Sequence, residues 1–217
     1  MEWRLLEGVP GEEVRRLISV ARRRTFARGE VVFHQGDPAD SLHLVSKGRF
    51  AVRVTTPLGD QATIAIRGAG DSFGEMAIVG TSATRSATIE ALESAETFSV
   101  PRSEFGRLRR DHPGVDQLLI EFLAAEVREL NVQLLDALFM PVERRVVRRL
   151  ADLARVYGPS DEGVVIPLTQ DELASIAGTT RPTVNQALRA LELDGIVELG
   201  RGKTTIPDVD ALTARAR

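Results

Sequence analysis

Between Val115 and Phe139 the chain runs without a glycine or a proline, and Pro141 closes the run. Within it Ile120, Leu123, Val127, Leu130, Leu134 and Ala137 recur at alternating steps of three and four, which is a heptad seam. A seam of this kind packs either on its own domain or on a second chain. Its length, with Glu126, Arg128 and Glu129 around it, favours a two-chain coiled coil, so a parallel homodimer through residues 115–139 is expected. Proline starts a helix in its first turn but cannot continue one already running. Leu138 to Pro141 is therefore the expected hinge and domain boundary.

What lies on either side of this helix differs in character. Gly11 to Arg24 reads as a short amphipathic helix carrying Val14, Leu17, Ile18 and Ala21 at helical spacing. From Thr25 to about Val100 the short stretches Glu30–His34, Leu42–Val45, Arg49–Thr55 and Ala62–Ile66 alternate with turn signals at Gly29, Gly36, Gly48 and Pro57-Leu58-Gly59. That spacing predicts a compact antiparallel roll or barrel. Helical character returns after Pro101. Beyond Pro141 a helix is expected over Val142–Val156, with Val146, Val147, Leu150, Leu153 and Ala154 inward, ending near Gly158-Pro159, then a brief strand Val164–Ile166. The last few residues are expected to be loosely ordered.

Thr169-Gln170-Asp171-Glu172 is a capping box, opening a helix that includes Leu173, Ala174, Ile176 and Ala177 and ends at Gly178. Thr179 and Thr180 precede Arg181-Pro182, and Val184, Ala187, Leu188 and Leu191 form the buried stripe of a second helix. Two helices crossing at so short a turn are the signature of a helix-turn-helix. The outward residues near the start of the second helix, Arg181, Pro182, Asn185, Gln186 and Arg189, would enter the major groove, with Arg181 reading guanine through two parallel bonds. Thr169, Thr180 and Thr183 sit near helix starts and suit phosphate. Gly195–Leu199 and Thr204–Ile206 form a hairpin whose tip presents Arg201 and Lys203 to the DNA backbone. The alternative, a helical packing module without nucleic acid, does not account for these features occurring together. Bulk charge lends no support to DNA binding: the net charge is −3, and from Pro141 onward eleven Lys and Arg face eleven Asp and Glu. Any basic surface must be local.

In the strand-rich half, Phe73-Gly74-Glu75-Met76-Ala77-Ile78 followed by Thr84-Arg85-Ser86-Ala87-Thr88 reads as a phosphate cradle. Gly74 lets backbone approach closely, the residues after it can begin a helix with free N–H groups, and Arg85 supplies a fork of donors. Ser86 adds a donor, and Glu75 would accept from a sugar hydroxyl. On spacing alone, Arg85 serves equally as a surface charge or as half of an internal ion pair.

These residues, in this order, resemble the Crp/Fnr family of bacterial regulators over nearly the whole chain. Gly74-Glu75-Met76-Ala77 with Arg85-Ser86-Ala87 is similar to that family's cyclic-nucleotide phosphate-binding cassette, and Arg181 matches its base-reading arginine. The resemblance implies an α+β fold: a cyclic-nucleotide-binding β-roll (residues 1–112), a long dimerisation helix and hinge (113–140) and a C-terminal winged helix-turn-helix (141–217). It implies cyclic AMP or cyclic GMP as effector, with Gly74 and Ser86 on the phosphate, Arg85 on its charge, Glu75 on the ribose and Asn131 on the base. It also implies double-stranded DNA with a palindromic operator, a second copy of the chain and RNA polymerase as partners. Two departures bear on this. Cyclic-AMP-responsive members offer the adenine a polar pair where this chain has Leu130-Asn131, so Asn131 must make that contact alone. Pro182 and Gln186 stand where the best-known members carry glutamate and arginine, which implies a different operator. The alternatives are a roll that is effector-free or binds another ligand, and a regulatory subunit of a partner enzyme.

Other classes fall away. No apolar run approaches the ~20 residues of a membrane span, and the N-terminal MEWRLLEGVPGEEVRRL has no apolar signal core, so a cytoplasmic protein without membrane contact is expected. There is no cysteine for a disulfide, an iron–sulfur cluster or a thiol sensor. His34, His43 and His112 lack metal-ligand spacing. With no nucleophile–base pair, metal site, prosthetic group or nucleotide-hydrolysing motif in view, catalysis is not expected.

Overall fold

The computed structural model describes residues 3–79, 84–158 and 163–216, and the side chains of Ala77 and Val79 lie outside what it describes. The chain divides into two compact units, residues 1–129 and 130–217.

The first unit is built on two four-stranded sheets. One has β1 (Arg22–Phe26), β8 (Ala95–Pro101), β3 (Ser41–Lys47) and β6 (Ser72–Phe73) in that order; the other has β2 (Val31–Phe33), β7 (Thr88–Ala91), β4 (Phe50–Thr55) and β5 (Gln61–Arg67). All their pairings are antiparallel. Strand β3 is buried on both faces, and the alternation of its side chains explains why. Val45 joins Phe26, Val32, Phe50, Phe73 and Ile89 in the apolar core of the roll. On the opposite face Leu42 and Leu44 meet a second core formed with Trp3, Leu5, Leu17, Phe105, Leu108, Val115 and Leu119. That core is supplied by helices α1 (Gly11–Val20), α3 (Arg102–Asp111) and the start of α4 (Gly114–Phe139). Gly48 makes the β3–β4 turn at φ +77°, where a Cβ would stand 2.6 Å from Ala95 Cβ; only glycine fits.

His43 shares the inward face with Val45. It is 1% exposed, stacks on Phe73 with ring centroids 5.0 Å apart, and its Nδ1 lies 3.0 Å from Thr97 Oγ1. Burial, reinforced by Arg85 and Arg24, pushes its pKa down from 6.5 to about 3. The unfolded chain thus takes up a proton near pH 6.5 that the folded chain refuses until about pH 3. Stability present above pH 6.5 is therefore lost as pH falls through that window, by about 1.4 kcal/mol per pH unit. Melting curves at pH 7.5 and 5 should separate more for the wild type than for His43→Gln; equal separation would remove His43 as the cause.

The N-terminal helix is shorter than its sequence suggests. It stops at Val20, and Arg22–Arg24, expected in the helix, instead pair with β8 from Arg22↔Ser99 to Phe26↔Ala95. Three consecutive arginines add nothing to an apolar helix stripe, whereas in a strand Arg23 reaches Glu96 at 2.5 Å and Phe26 enters the core.

The second unit holds the end of α4, then α5 (Val142–Tyr157), α6 (Gln170–Ala177), α7 (Arg181–Leu193) and a three-stranded antiparallel sheet in the order β10 (Glu198–Gly200), β11 (Lys203–Ile206), β9 (Val164–Ile166). Val146, Val147, Leu150, Leu153 and Ala154 of α5 are buried, as their spacing predicts. Pro159 lies outside the described residues. Residues 209–216 form a helix, contrary to the expectation of a loosely ordered end, and Arg217 lies outside the described residues. Val209–Ala216 forms α8, started by Asp208, whose Oδ1 accepts from the backbone N–H groups of Asp210 and Ala211, and Leu212 is wholly buried. A single apolar anchor in a short segment leaves too little periodicity to be read from sequence.

Helix α4 ends at Phe139, and Pro141 caps α5. The last turns of α4 are tied to α5: buried Asp136 accepts from Arg148 at 2.9 Å and from Arg149 at 3.4 Å. Those links explain why the compact units divide inside α4.

Candidate functional site

The cassette residues converge on a cleft in the first unit. Strand β6 delivers Phe73 into the core and leaves Gly74 at φ +84°, where a Cβ would lie 2.7 Å from Arg85 Nη1. Gly74 is therefore fixed by two demands, the left-handed backbone and the guanidinium packed against it. Arg85 is 5% exposed. Its Nη1 donates to the Ser41 carbonyl at 2.7 Å, its Nη2 to Ser41 Oγ at 3.1 Å and, more distantly, to Asp40 Oδ1 at 3.4 Å. The guanidinium carbon stands 4.0 Å from the centroid of Phe33. Its Nε is buried with no hydrogen-bond partner among the described residues.

Glu75 follows Gly74 and carries a carboxyl whose buried Oε2 has no hydrogen-bond partner among the described residues. Burial raises its pKa, Glu126 adds to the rise, and Arg67 and Arg85 oppose it. Helix α2 (Met76–Val79) begins at the next residue, with Met76 half exposed at the rim. Ser86 is exposed and lines the same cleft. Phe33, Val52, Phe73, Ala87 and Ile89 form its apolar wall. An apolar wall, two guanidiniums and a carboxyl oxygen free to accept a hydrogen bond suit an anionic ligand that also carries hydroxyl groups. Arg67, Phe33 and Ser41 were not singled out by sequence reasoning. Arg67 ends β5 one residue past the stretch read as a strand, and Ser41 contributes through its carbonyl and hydroxyl, which no motif marks. Asn131 belongs to the second unit, where it is exposed.

In that second unit the capping box is formed as read: Thr169 Oγ1 accepts from Glu172 N–H at 3.2 Å, and the Glu172 carboxylate accepts from Thr169 N–H at 2.6 Å. Gly178 closes α6 in the left-handed conformation at φ +60°, and α7 opens with Pro182 in its first turn. Val184, Ala187, Leu188 and Leu191 are buried, which leaves Arg181, Pro182, Gln186 and Arg189 exposed, with Thr183 and Asn185 partly so. Among the described residues Arg181 meets the exposed Asp171, at 3.5 Å, a solvent-exposed contact of little strength. Asn185 is held by Gln170 at 3.1 Å, Arg189 by Glu192 at 2.6 Å, and the Thr180 and Thr183 hydroxyls by each other at 3.0 Å. Arg201 and Lys203 are exposed at the hairpin tip, where Gly202 turns at φ +69°. The unread residue here is Arg145, whose Nε and Nη2 donate to the carbonyls of Ala177 and Gly178 at 2.8 and 3.2 Å, and whose Nη1 reaches that of Ala137 at 3.4 Å. It satisfies the ends of α6 and α4 together.

Among the described residues no cluster of metal-ligating side chains occurs, and no helix is long and apolar enough to cross a membrane. Residues 23–112 match the family model of the cyclic nucleotide-binding domain, and residues 144–215 that of the Crp-like helix-turn-helix domain. The chain is 33% identical over 208 residues to the cyclic AMP receptor protein of Thermus thermophilus, covering 96% of this chain and 94% of that one. It is 30% identical over 216 residues to the CRP-like cAMP-activated global transcriptional regulator of Mycobacterium tuberculosis, covering 98% and 96%. The structure of the c-di-GMP-responsive global regulator CLP of Xanthomonas campestris shares the fold, with a TM-score of 0.80 at 21% identity over 92% of this chain and 100% of that one.

Proposed function

This chain belongs to the Crp/Fnr family of DNA-binding transcription regulators, and from that premise we propose that it is a homodimer whose DNA binding is controlled by cyclic AMP seated in the Gly74–Arg85 cleft. The observation that carries the reading is the pairing, in one cleft, of a buried Arg85 with a Glu75 whose buried Oε2 has no hydrogen-bond partner among the described residues. A cyclic phosphate would take the charge of Arg85 and the hydroxyl of Ser86, passing close over Gly74. A ribose hydroxyl would donate to Glu75 Oε2 and supply the bond it lacks. Met76 and Ala77 begin the short helix on that side, and Asn131 is the residue assigned to the base.

The homodimer follows from the seam. Ile120, Val127, Leu130 and Leu134 of α4 are 60, 56, 46 and 56% exposed, too much apolar surface along one helix to leave in water without a partner. A two-fold dimer would read a palindromic site with half-sites about one helical turn apart. Thr169, Thr180 and Thr183 would face phosphates, as would Arg201 and Lys203, while Arg181, Pro182, Asn185, Gln186 and Arg189 meet base edges. Arg181→Ala is expected to weaken specific DNA binding by about 1–3 kcal/mol and to relax preference at a single base position. Binding selection from random-sequence DNA measures both, and an unchanged selected motif would remove Arg181 as a base reader.

A second reading, with a roll that is effector-free or takes another ligand, draws on one observation: the Arg85 guanidinium already has protein partners in Ser41 and Asp40. The test is calorimetric titration of the nucleotide-free protein with cyclic AMP and separately with cyclic GMP. Saturable binding of cyclic AMP in preference to cyclic GMP supports the proposal. Preference for cyclic GMP changes the base, and no heat from either, with no thermal shift, favours the second reading.

A further inference from the structure

Arg67 closes β5 and lines the cleft with Glu75 and Arg85, although the cassette does not include it. Its Nη2 donates to Oε2 of Glu126 on α4, and both side chains are largely shielded, 18% and 32% exposed. The start of α4 is fixed to the roll by Val115 and Leu119, with Phe122 packed beside them. Beyond Phe122 the apolar Val127 is exposed, and the ion pair from Arg67 continues the hold.

We infer that the Arg67–Glu126 pair is the switch through which occupancy of the cleft reaches α4, an inference that rests on reading the cleft as a site for an anionic nucleotide. Glu75, Arg67 and Glu126 lie close enough to act on one another's charge: Arg67 favours the ionised Glu75, and Glu126 opposes it. The negative charge in contact with Arg67 is Glu126, and the pair is closed. A phosphate entering beside Arg85 is attracted by Arg67 and repelled by Glu126. The nucleotide therefore binds more tightly to the arrangement in which Glu126 has withdrawn and Arg67 faces the ligand. A ligand moves an equilibrium only by such a difference in affinity. Because α4 runs as one helix from Gly114 to Phe139, releasing it at Glu126 frees the segment that carries the exposed seam. Arg67 and Glu126 are thus positioning residues, and they give the two partners of one ion pair opposite effects on the ligand.

The experiment uses the full-length protein and its Glu126→Gln and Arg67→Gln variants. It measures the cyclic AMP Kd by calorimetry, and the affinity for a DNA site selected by the wild type, with and without cyclic AMP, by fluorescence anisotropy. Glu126→Gln should tighten cyclic AMP binding and raise DNA affinity in the absence of ligand, each by roughly fivefold or more, the lower end of typical couplings. Arg67→Gln should weaken cyclic AMP binding, and both variants should cut the ligand-induced gain in DNA affinity by about fivefold or more. A pair that only braces the fold would shift both ligand affinities in the same direction and leave the gain intact; that result overturns the inference. Should Arg67→Gln fail to fold, Glu126→Gln decides alone, an unchanged gain being the overturning result. A wild type that binds neither cyclic AMP nor cyclic GMP instead overturns the proposed function, and the switch with it.

Discussion

Arg85→Ala is expected to weaken cyclic AMP binding by roughly a hundredfold or more, the equivalent of about 3 kcal/mol, with the protein still folded. The size comes from the setting. A guanidinium 5% exposed acts on a phosphate where little water competes, and a charge-assisted, two-pronged contact is roughly twice as strong as a neutral one. The substitution also has a structural cost, because the Ser41 carbonyl loses the donor at 2.7 Å and Phe33 loses the cation over its ring. An unsatisfied buried carbonyl costs about 1–3 kcal/mol, so the melting temperature should fall along with ligand affinity. Arg85→Lys separates the two contributions. Lysine keeps the charge but not the fork that reaches the Ser41 carbonyl and hydroxyl together, so it should recover part of the affinity and little of the lost stability. Calorimetry on a variant shown by its cooperative melt to be folded is the check, and cyclic AMP affinity equal to the wild type would sink the cleft assignment.

Phe50→Ala should destabilise the first unit by about 3–5 kcal/mol. Phe50 is fully buried, meets Phe26 edge-on at 5.6 Å and lies tilted against Phe73 at 5.1 Å, between the two sheets of the roll. Domains of this size rarely hold more than 5–15 kcal/mol of net stability, so the loss should appear as a separate, earlier unfolding transition of this unit. Because Phe73 directly precedes Gly74, the cavity left behind also loosens the support of the cassette, and ligand affinity should fall although no contact to the ligand has been removed. Differential scanning calorimetry resolves the two units; a single unshifted transition would show that Phe50 carries far less of the core than its burial implies.

The helix-turn-helix was the most legible part of the sequence. Thr169, Glu172, Gly178 and Pro182 each act within a few residues of themselves, through a cap, a left-handed turn or a first-turn proline, and the structure forms each contact where the spacing places it. The same holds for α5 and its buried stripe. The roll was legible as alternating strands and turn glycines, but not as two particular sheets, since which strand lies beside which depends on partners far along the chain. Arg22–Arg24 show the difference: their own residues read as the end of a helix, and pairing with β8 more than seventy residues away makes them a strand. Helix α8 was missed for a related reason, as its order comes from burying Leu212 in the second unit rather than from its own pattern.

At the cleft the division is sharper. Gly74, Glu75 and Arg85 could be named from sequence, because a phosphate cradle needs close backbone approach and a fork of donors in a short compass. Which protein groups hold Arg85 could not, since Ser41 and Phe33 reach it through β3 and β2 and leave no local mark. Nor could Arg67 and Glu126, separated by fifty-nine residues, be known to meet until β5 and α4 were placed. Sequence by itself determined the order of the modules, the caps and turns, and which residue types could hold a nucleotide or read DNA, because those follow from backbone preferences and side-chain chemistry acting over a few residues. Only the tertiary structure decided which charges are buried, which are paired and which are left wanting a partner. Desolvation and ion pairing depend on distance in space, and the folded chain sets those distances between residues that the sequence keeps far apart.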